Sequence, residues 1–135
     1  MPDDERSKSK GNLLEEHKIA LHIKKVLEAL NHLHSRNIVH LDINPENIIV
    51  DNASKKIKLV GFTHSKNLRP DVFLNSPREN VFHDYGQPEF VAPEIVLHRP
   101  VTLNTDMWSL GVMTYELLTG VSPFFGLSMK ETLEN

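Results

Sequence analysis

The chain has 135 residues, of which 39% are hydrophobic and 24% charged, the balance of a soluble globular polypeptide and not of a disordered, fibrous or membrane-spanning one. Fifteen Lys and Arg against eighteen Asp and Glu leave a net charge of −3, so no basic excess recommends nucleic acid or an anionic membrane as a partner. The absence of cysteine excludes a disulfide framework and a cysteine zinc site, and no apolar run approaches the roughly 20 residues that a membrane-spanning helix needs.

The start, Met-Pro-Asp-Asp-Glu-Arg, is too polar for a secretory signal, which points to the cytoplasm. Residues 1–11 (MPDDERSKSKG) are charged and aperiodic, and are expected to form a disordered lead that cannot offset its ordering entropy. From Asn12 the pattern changes. Asn12 with Glu15 resembles a capping box, and Ile19, Ile23, Val26, Leu30 and Leu33 recur at spacings of four and three, which predicts an amphipathic helix ending near His34. His17, His22, His32 and His34 lie on it; no cluster of other ligands accompanies them, so a metal site is not expected.

After Ser35-Arg36-Asn37 comes Ile38-Val39-His40-Leu41-Asp42, and Pro45 then blocks helix continuation and pushes Asn44 into an extended conformation. Ile48-Ile49-Val50, the turn formers Asp51-Asn52-Ala53-Ser54 and Ile57-Lys58-Leu59-Val60 predict a short hairpin. From Gly61 to about Pro93 no useful period appears, and an ordered loop of that length is usually functional. Asp106 to Leu118 is apolar on most faces, which predicts a second helix from about Thr105, buried all round and closed by Gly120. Ser128 and Glu131 open a third helix. One long helix, one hairpin and one loop are few neighbours for a helix buried on every side, so the chain is expected to be part of a larger domain.

The loop His40-Leu41-Asp42-Ile43-Asn44-Pro45-Glu46-Asn47 places an Asp and an Asn five residues apart between a helix and a hairpin. That resembles the protein-kinase catalytic loop, H-R-D-L-x-x-x-N, whose Asp accepts the substrate hydroxyl proton and whose Asn holds a magnesium ion. Glu89-Phe90-Val91-Ala92-Pro93-Glu94 and Asp106-Met107-Trp108-Ser109-Leu110-Gly111 resemble the A-P-E end of the activation segment and the D-x-W-S-x-G start of the buried helix in serine/threonine kinases. The resemblance covers residues 12–135 and about half of a kinase domain. It implies an α+β, protein-kinase-like fold: a partial C-terminal, mainly helical lobe with a short β-hairpin, without the small lobe that carries the glycine-rich loop and the phosphate-binding lysine. His40-Leu41-Asp42-Ile43, Pro88 to Glu94 and Ser122-Pro123-Phe124 look most like the myosin-light-chain-kinase, titin and obscurin branch, which implies a cytoskeletal, sarcomeric placement.

The resemblance gives Asp42 the role of general base, or of its structural relic, and makes Asn47 the cofactor-binding and second-metal residue. Other positions depart from the pattern. Leu41 replaces the arginine that pairs with a phosphorylated activation loop. Asn44 replaces a lysine that reaches the transferred phosphate, and an amide supplies no full charge there. Gly61 stands at the position of the magnesium-binding Asp of D-F-G and offers no side-chain oxygen. Thr63 replaces the glycine of that motif, and Gln87 replaces a small hydroxyl residue near Asp42. His40, Phe62, Glu94 and Asp106 are expected to be structural, with Glu94 paired to an arginine further along the lobe and Asp106 tying the loop to the buried helix. Trp108 and Phe124-Phe125 are expected in the core.

The resemblance thus implies ATP and Mg2+ as cofactors, weak or lost here, and a protein substrate or protein partner. The expected function is a catalytically impaired pseudokinase that binds partners, using the surface from Lys66 to Tyr85 and the helix at Ser128. The alternative is an active ATP-dependent serine/threonine kinase of which this chain is a truncated part, and a third reading is a segment that does not fold alone.

Overall fold

The computed structural model describes the backbone of residues 5–70 and 87–135 and the side chains of residues 16–70 and 87–135. Helix α1 spans Glu5–His34. Its expected start at Asn12 is corrected, since the helix begins within the stretch taken as a disordered lead and Asn12 lies inside it. Glu, Arg and Lys are good helix formers, and extending an existing helix is far easier than nucleating one. The predicted stripe does face the interior: Val26 and Leu30 are buried, and Ile23 and Leu33 pack beside them. The helix ends in a turn where Asn37 adopts a left-handed φ of 57° and its N–H donates to the His34 carbonyl at 2.9 Å.

Strand β1 (Ile38–Val39) leads into the loop, a 3-10 turn covers Pro45–Asn47, and β2 (Ile48–Val50) and β3 (Ile57–Leu59) form the expected antiparallel hairpin, Ile48 facing Leu59 and Val50 facing Ile57. The hairpin turn is tied by Asp51, whose carboxylate accepts from the Ser54 hydroxyl and from Ala53 N–H; these bonds hold its pKa below the usual carboxylate value. Beyond β3 lie a 3-10 turn at Phe62–His64 and β4 (Lys66–Asn67), which pairs antiparallel with β1, Val39 opposite Lys66. No sequence period announces this second pairing, because strands of two residues are too short to have one.

Helix α2 (Pro93–Val96) is a single turn. Helix α3 (Asn104–Thr119) is closed by Gly120 at φ 78°, a left-handed residue whose N–H donates to the Glu116 carbonyl at 2.7 Å. Helix α4 (Met129–Glu134) carries the predicted cap: Ser128 Oγ accepts from Glu131 N–H at 3.1 Å, and the Glu131 carboxylate accepts from Leu127 N–H at 2.8 Å. Among the described residues no helix is long and apolar enough to cross a membrane.

The main core joins Val26 and Leu30 of α1, Ile43 of the loop, Phe90, and Leu110, Val112 and Met113 of α3, with the hairpin residues Ile48, Ile57 and Leu59 packed against it. A smaller cluster gathers Val39, Leu41 and Ile95 under Leu68, Val91, Val101 and Leu103. The loop at 40–47 is suspended between the two. Helix α3 corrects one expectation, for it is buried on one face only: Asp106, Ser109, Leu110 and Met113 are inside, whereas Met107, Trp108, Tyr115, Leu117 and Leu118 are 39–49% exposed. Trp108 stacks on Phe124, 5.5 Å between centroids, and Phe124 packs against the core, but Phe125 is exposed. The core reading of these aromatics therefore holds for Phe124 alone, because the described residues cover only one side of α3.

Candidate functional site

The loop rests on one buried carboxylate. Asp106, 0% exposed at the first turn of α3, accepts from His40 N–H at 2.9 Å, Leu41 N–H at 2.8 Å and the His34 imidazole Nε2 at 2.8 Å. A carboxylate removed from water is tolerable only with such partners. Leu41 adopts a left-handed φ of 66°, a conformation that strains a non-glycine residue by roughly 1–2 kcal/mol. Its side chain is buried in the smaller cluster with Val39 and Ile95. Apolar packing at this position ties the loop to α2.

His40 is wedged beneath the loop. Its Nε2 lies 2.9 Å from the Val60 carbonyl, which can only accept, so Nε2 carries the proton; Nδ1 then accepts from Asp42 N–H at 3.2 Å. Burial pushes the imidazole below its ordinary value of 6.5, opposed by the Val60 carbonyl and the carboxylates of Asp106 and Asp42. Both ring nitrogens are occupied within the fold, which suits a spacer more than a proton carrier. Phe62 meets the His40 ring edge-on at 4.9 Å but is itself 48% exposed, and Thr63 beside it is also exposed.

Asp42 lies half-buried at the rim, gripped by two amides. Asn44 Nδ2 donates to Asp42 Oδ1 at 2.8 Å and to the Asp42 carbonyl at 3.1 Å; Asn47 Nδ2 donates to Asp42 Oδ2 at 2.8 Å and to the same carbonyl at 2.8 Å. Pro45 explains how Asn44 gets there: the residue before proline is held extended, here at φ −159° and ψ 167°. That lets Asn44 cap the 3-10 turn, its Oδ1 accepting from Glu46 N–H at 2.9 Å. Asn44 is 2% exposed. Sequence reasoning treated it as a lost lysine and missed the clamp, although Asn directly before Pro is itself a capping signal.

Gly61 follows β3 in a left-handed conformation, φ 78° and ψ 47°. Val60 N–H donates to the Asn47 carbonyl at 2.9 Å, which places Asn47 against the end of the strand. Because both partners of Asn47 Nδ2 only accept, the amide nitrogen must face Asp42, and its oxygen is turned toward Gly61. A Cβ built on Gly61 would collide with this amide, 2.6 Å from Nδ2 and closer still to Cγ and Oδ1.

The remaining predicted residues fall around this centre. Gln87 lines a small pocket beside Asp42 together with Ile43, Phe90, Thr105 and Ser109. Glu94 accepts from the Thr105 hydroxyl at 2.6 Å. His17, His22 and His32 are exposed on α1, whereas His34 is the donor to Asp106, a role that the sequence did not suggest. Of the expected contact surface from Lys66 to Tyr85, residues 71–85 lie outside the described residues.

The family model for the protein kinase domain matches residues 3–135. The chain belongs to the protein kinase domain family. It is 39% identical over 125 residues to a titin homolog of Caenorhabditis elegans, covering 92% of this chain and 1% of that protein. It is 41% identical over 114 residues to the striated muscle preferentially expressed protein kinase of Danio rerio, covering 84% of this chain and 4% of the relative. The human death-associated protein kinase 2 is 42% identical over 125 residues, 90% of this chain and 32% of that kinase. The chain spans about a third or less of the length of these curated relatives.

Protein kinases bind ATP with magnesium, a hard cation that takes carboxylate, carbonyl and water oxygens in near-octahedral geometry. The donor set here does not fit it. Gly61 supplies no side-chain oxygen, the Asn47 oxygen is turned onto Gly61, and among the described residues no three His, Asp or Glu come together as a metal site. Asp42 lines a small pocket with Ile43, Gln87 and Phe90.

Proposed function

We propose that this chain is a catalytically impaired, serine/threonine-type kinase domain that works by binding a protein partner, within a titin- or obscurin-like cytoskeletal protein of the cytoplasm. The observation that carries the reading is Gly61 with the Asn47 amide lying over it, at the position that supplies the main magnesium ligand in the family. Phosphoryl transfer depends mostly on positioning and charge stabilisation, so Asp42 alone cannot sustain it. Asn44 adds no positive charge, and it is committed to Asp42 and to Glu46 N–H. The muscle placement draws on similarity to the titin homolog and to the striated muscle kinase.

The second reading is an active ATP-dependent serine/threonine kinase of which these residues are a part. It is favoured by Asp42 and Asn47, both present at the motif spacing, and by relatives that carry the word kinase in their names. The two part on one measurement: the melting temperature of the intact protein with ATP, with and without magnesium, since a ligand that binds only the folded state must stabilise it. The impaired domain predicts no magnesium-dependent rise. A clear rise in a protein that melts cooperatively overturns this reading in favour of the active kinase.

A further inference from the structure

We infer that the turn of the β2–β3 hairpin is a docking point for an acidic segment of a partner protein, held there by Lys55, Lys56 and Lys58. The net charge of −3 conceals a division within the chain. Residues 16–70 hold nine Lys and Arg against five Asp and Glu, whereas residues 87–135 hold two against six. Three of those nine cations lie within four consecutive positions of the hairpin, and all three are exposed. The ion pairs among the described residues join Lys25 to Glu28, His34 to Asp106 and Lys130 to Glu134, and none of them reaches the hairpin.

The register fixes where these side chains stand. Ile57 and Leu59 pack against the core, so the alternation of a strand turns Lys56 and Lys58 to the outer face, where Lys58 lies opposite Ile49, itself 51% exposed. Two ammonium groups on one face repel each other, and Asp51, the one acid of the hairpin, is taken up by Ser54 and Ala53. The bias extends to the turn. Lys55 adopts a left-handed φ of 56°, where glycine would relieve the strain of a side chain; lysine there adds charge at the expense of the turn. An extended acidic peptide suits three ammonium groups beside one apolar side chain. A nucleic acid suits them less, because the acidic residues 87–135 would repel a long polyanion.

The test is the anisotropy of a fluorescein-labelled oligoglutamate peptide titrated with the intact protein, without nucleotide. Binding should weaken as salt is raised, since the contacts are exposed. Lys56→Gln with Lys58→Gln should weaken it about fivefold, and Lys130→Gln, which removes a lysine far from the hairpin in sequence and already paired with Glu134, should leave it unchanged. Lys55→Gly is the sharper variant, because it removes a charge and the left-handed strain together: binding should fall about threefold while Tm holds or rises. A lysine that only shaped the turn would not move the two readings apart in this way.

If the hairpin variants bind oligoglutamate as tightly as Lys130→Gln does, the docking point is overturned. It is overturned as well if Lys55→Gly lowers Tm, for the lysine would then serve the turn, or if a DNA duplex binds more tightly than the peptide. Self-association of the unliganded protein that is lost in Lys56→Gln would overturn the separate partner in favour of the acidic residues of a second copy. The inference holds whether or not the domain transfers phosphate, so its failure and that of the impaired-kinase reading are told apart by the peptide and by magnesium-ATP melting.

Discussion

The two halves of the loop at residues 40–47 are held by different means. Residues 40–42 hang from Asp106, a fully buried carboxylate on α3 that collects two backbone N–H groups and the His34 ring. Residues 44–47 are held by neutral amides reaching back to Asp42, with the Asn47 amide lying against Gly61. The first half is anchored to the hydrophobic core, so its geometry is bound up with folding itself. The second is braced by its own side chains, which bond within the loop. Short polar residues can therefore fix the shape of such a loop through hydrogen bonds made within it.

The sharpest way to break this contrast is to cut the anchor. Asp106→Ala leaves the N–H groups of His40 and Leu41 buried without acceptors and should destabilise the protein by about 4 kcal/mol. Urea unfolding of the intact protein checks it; a loss under about 1 kcal/mol would mean that the loop does not depend on α3. Next is Leu41→Ala, which removes a buried side chain from the cluster of Val39 and Ile95 and should lower stability by about 3 kcal/mol. The strained backbone at Leu41 is retained in that variant, so the loss reports packing only. Smaller again is Asn44→Ala. It removes the cap on Glu46 N–H and one arm of the clamp on Asp42, an expected loss of about 1–2 kcal/mol because the half-exposed Asp42 can turn to water. If Asn44→Ala proved as damaging as Asp106→Ala, the division of the loop into a core-anchored and a self-held half would fail.

The core-anchored half was largely legible in the sequence, and the self-held half was not. Apolar spacing located the buried stripe of α1, and apolar runs around turn formers located the hairpin, since burial leaves a pattern. The spacing of Asp42 and Asn47 located the loop, and Gly61 stood out as a missing carboxylate. Where an amide turns is another matter. Asn47 faces Asp42 and covers Gly61 through side-chain rotations that leave no mark on residue order. The same limit hid the His34 bond to Asp106, made across 72 residues of sequence. Helix α3 misled for the opposite reason: its apolar composition is uniform, but burial depends on what packs against each face, and among the described residues Met107, Trp108 and Tyr115 remain exposed.

The finest test of the anchored half is its response to acid. His40 is buried with its proton on Nε2, and desolvation holds its pKa below the ordinary 6.5, against the pull of the Val60 carbonyl, Asp106 and Asp42. The sign follows from proton counting. Between the two pKa values the unfolded chain binds a proton at this position that the folded chain refuses, so stability is complete above pH 6.5 and declines as pH falls from there through the lower folded value. Protonation would also cost the bond from Asp42 N–H, because Nδ1 would cease to accept. The self-held half contains no imidazole and should contribute no slope in that window. Replacing the ring by an amide in His40→Asn should lower stability at pH 7.5 but flatten its decline below pH 6.5, and urea midpoints across pH 5 to 8 would read both. An undiminished slope in His40→Asn would move the titration to another histidine and leave His40 a spacer whose charge never bears on the loop.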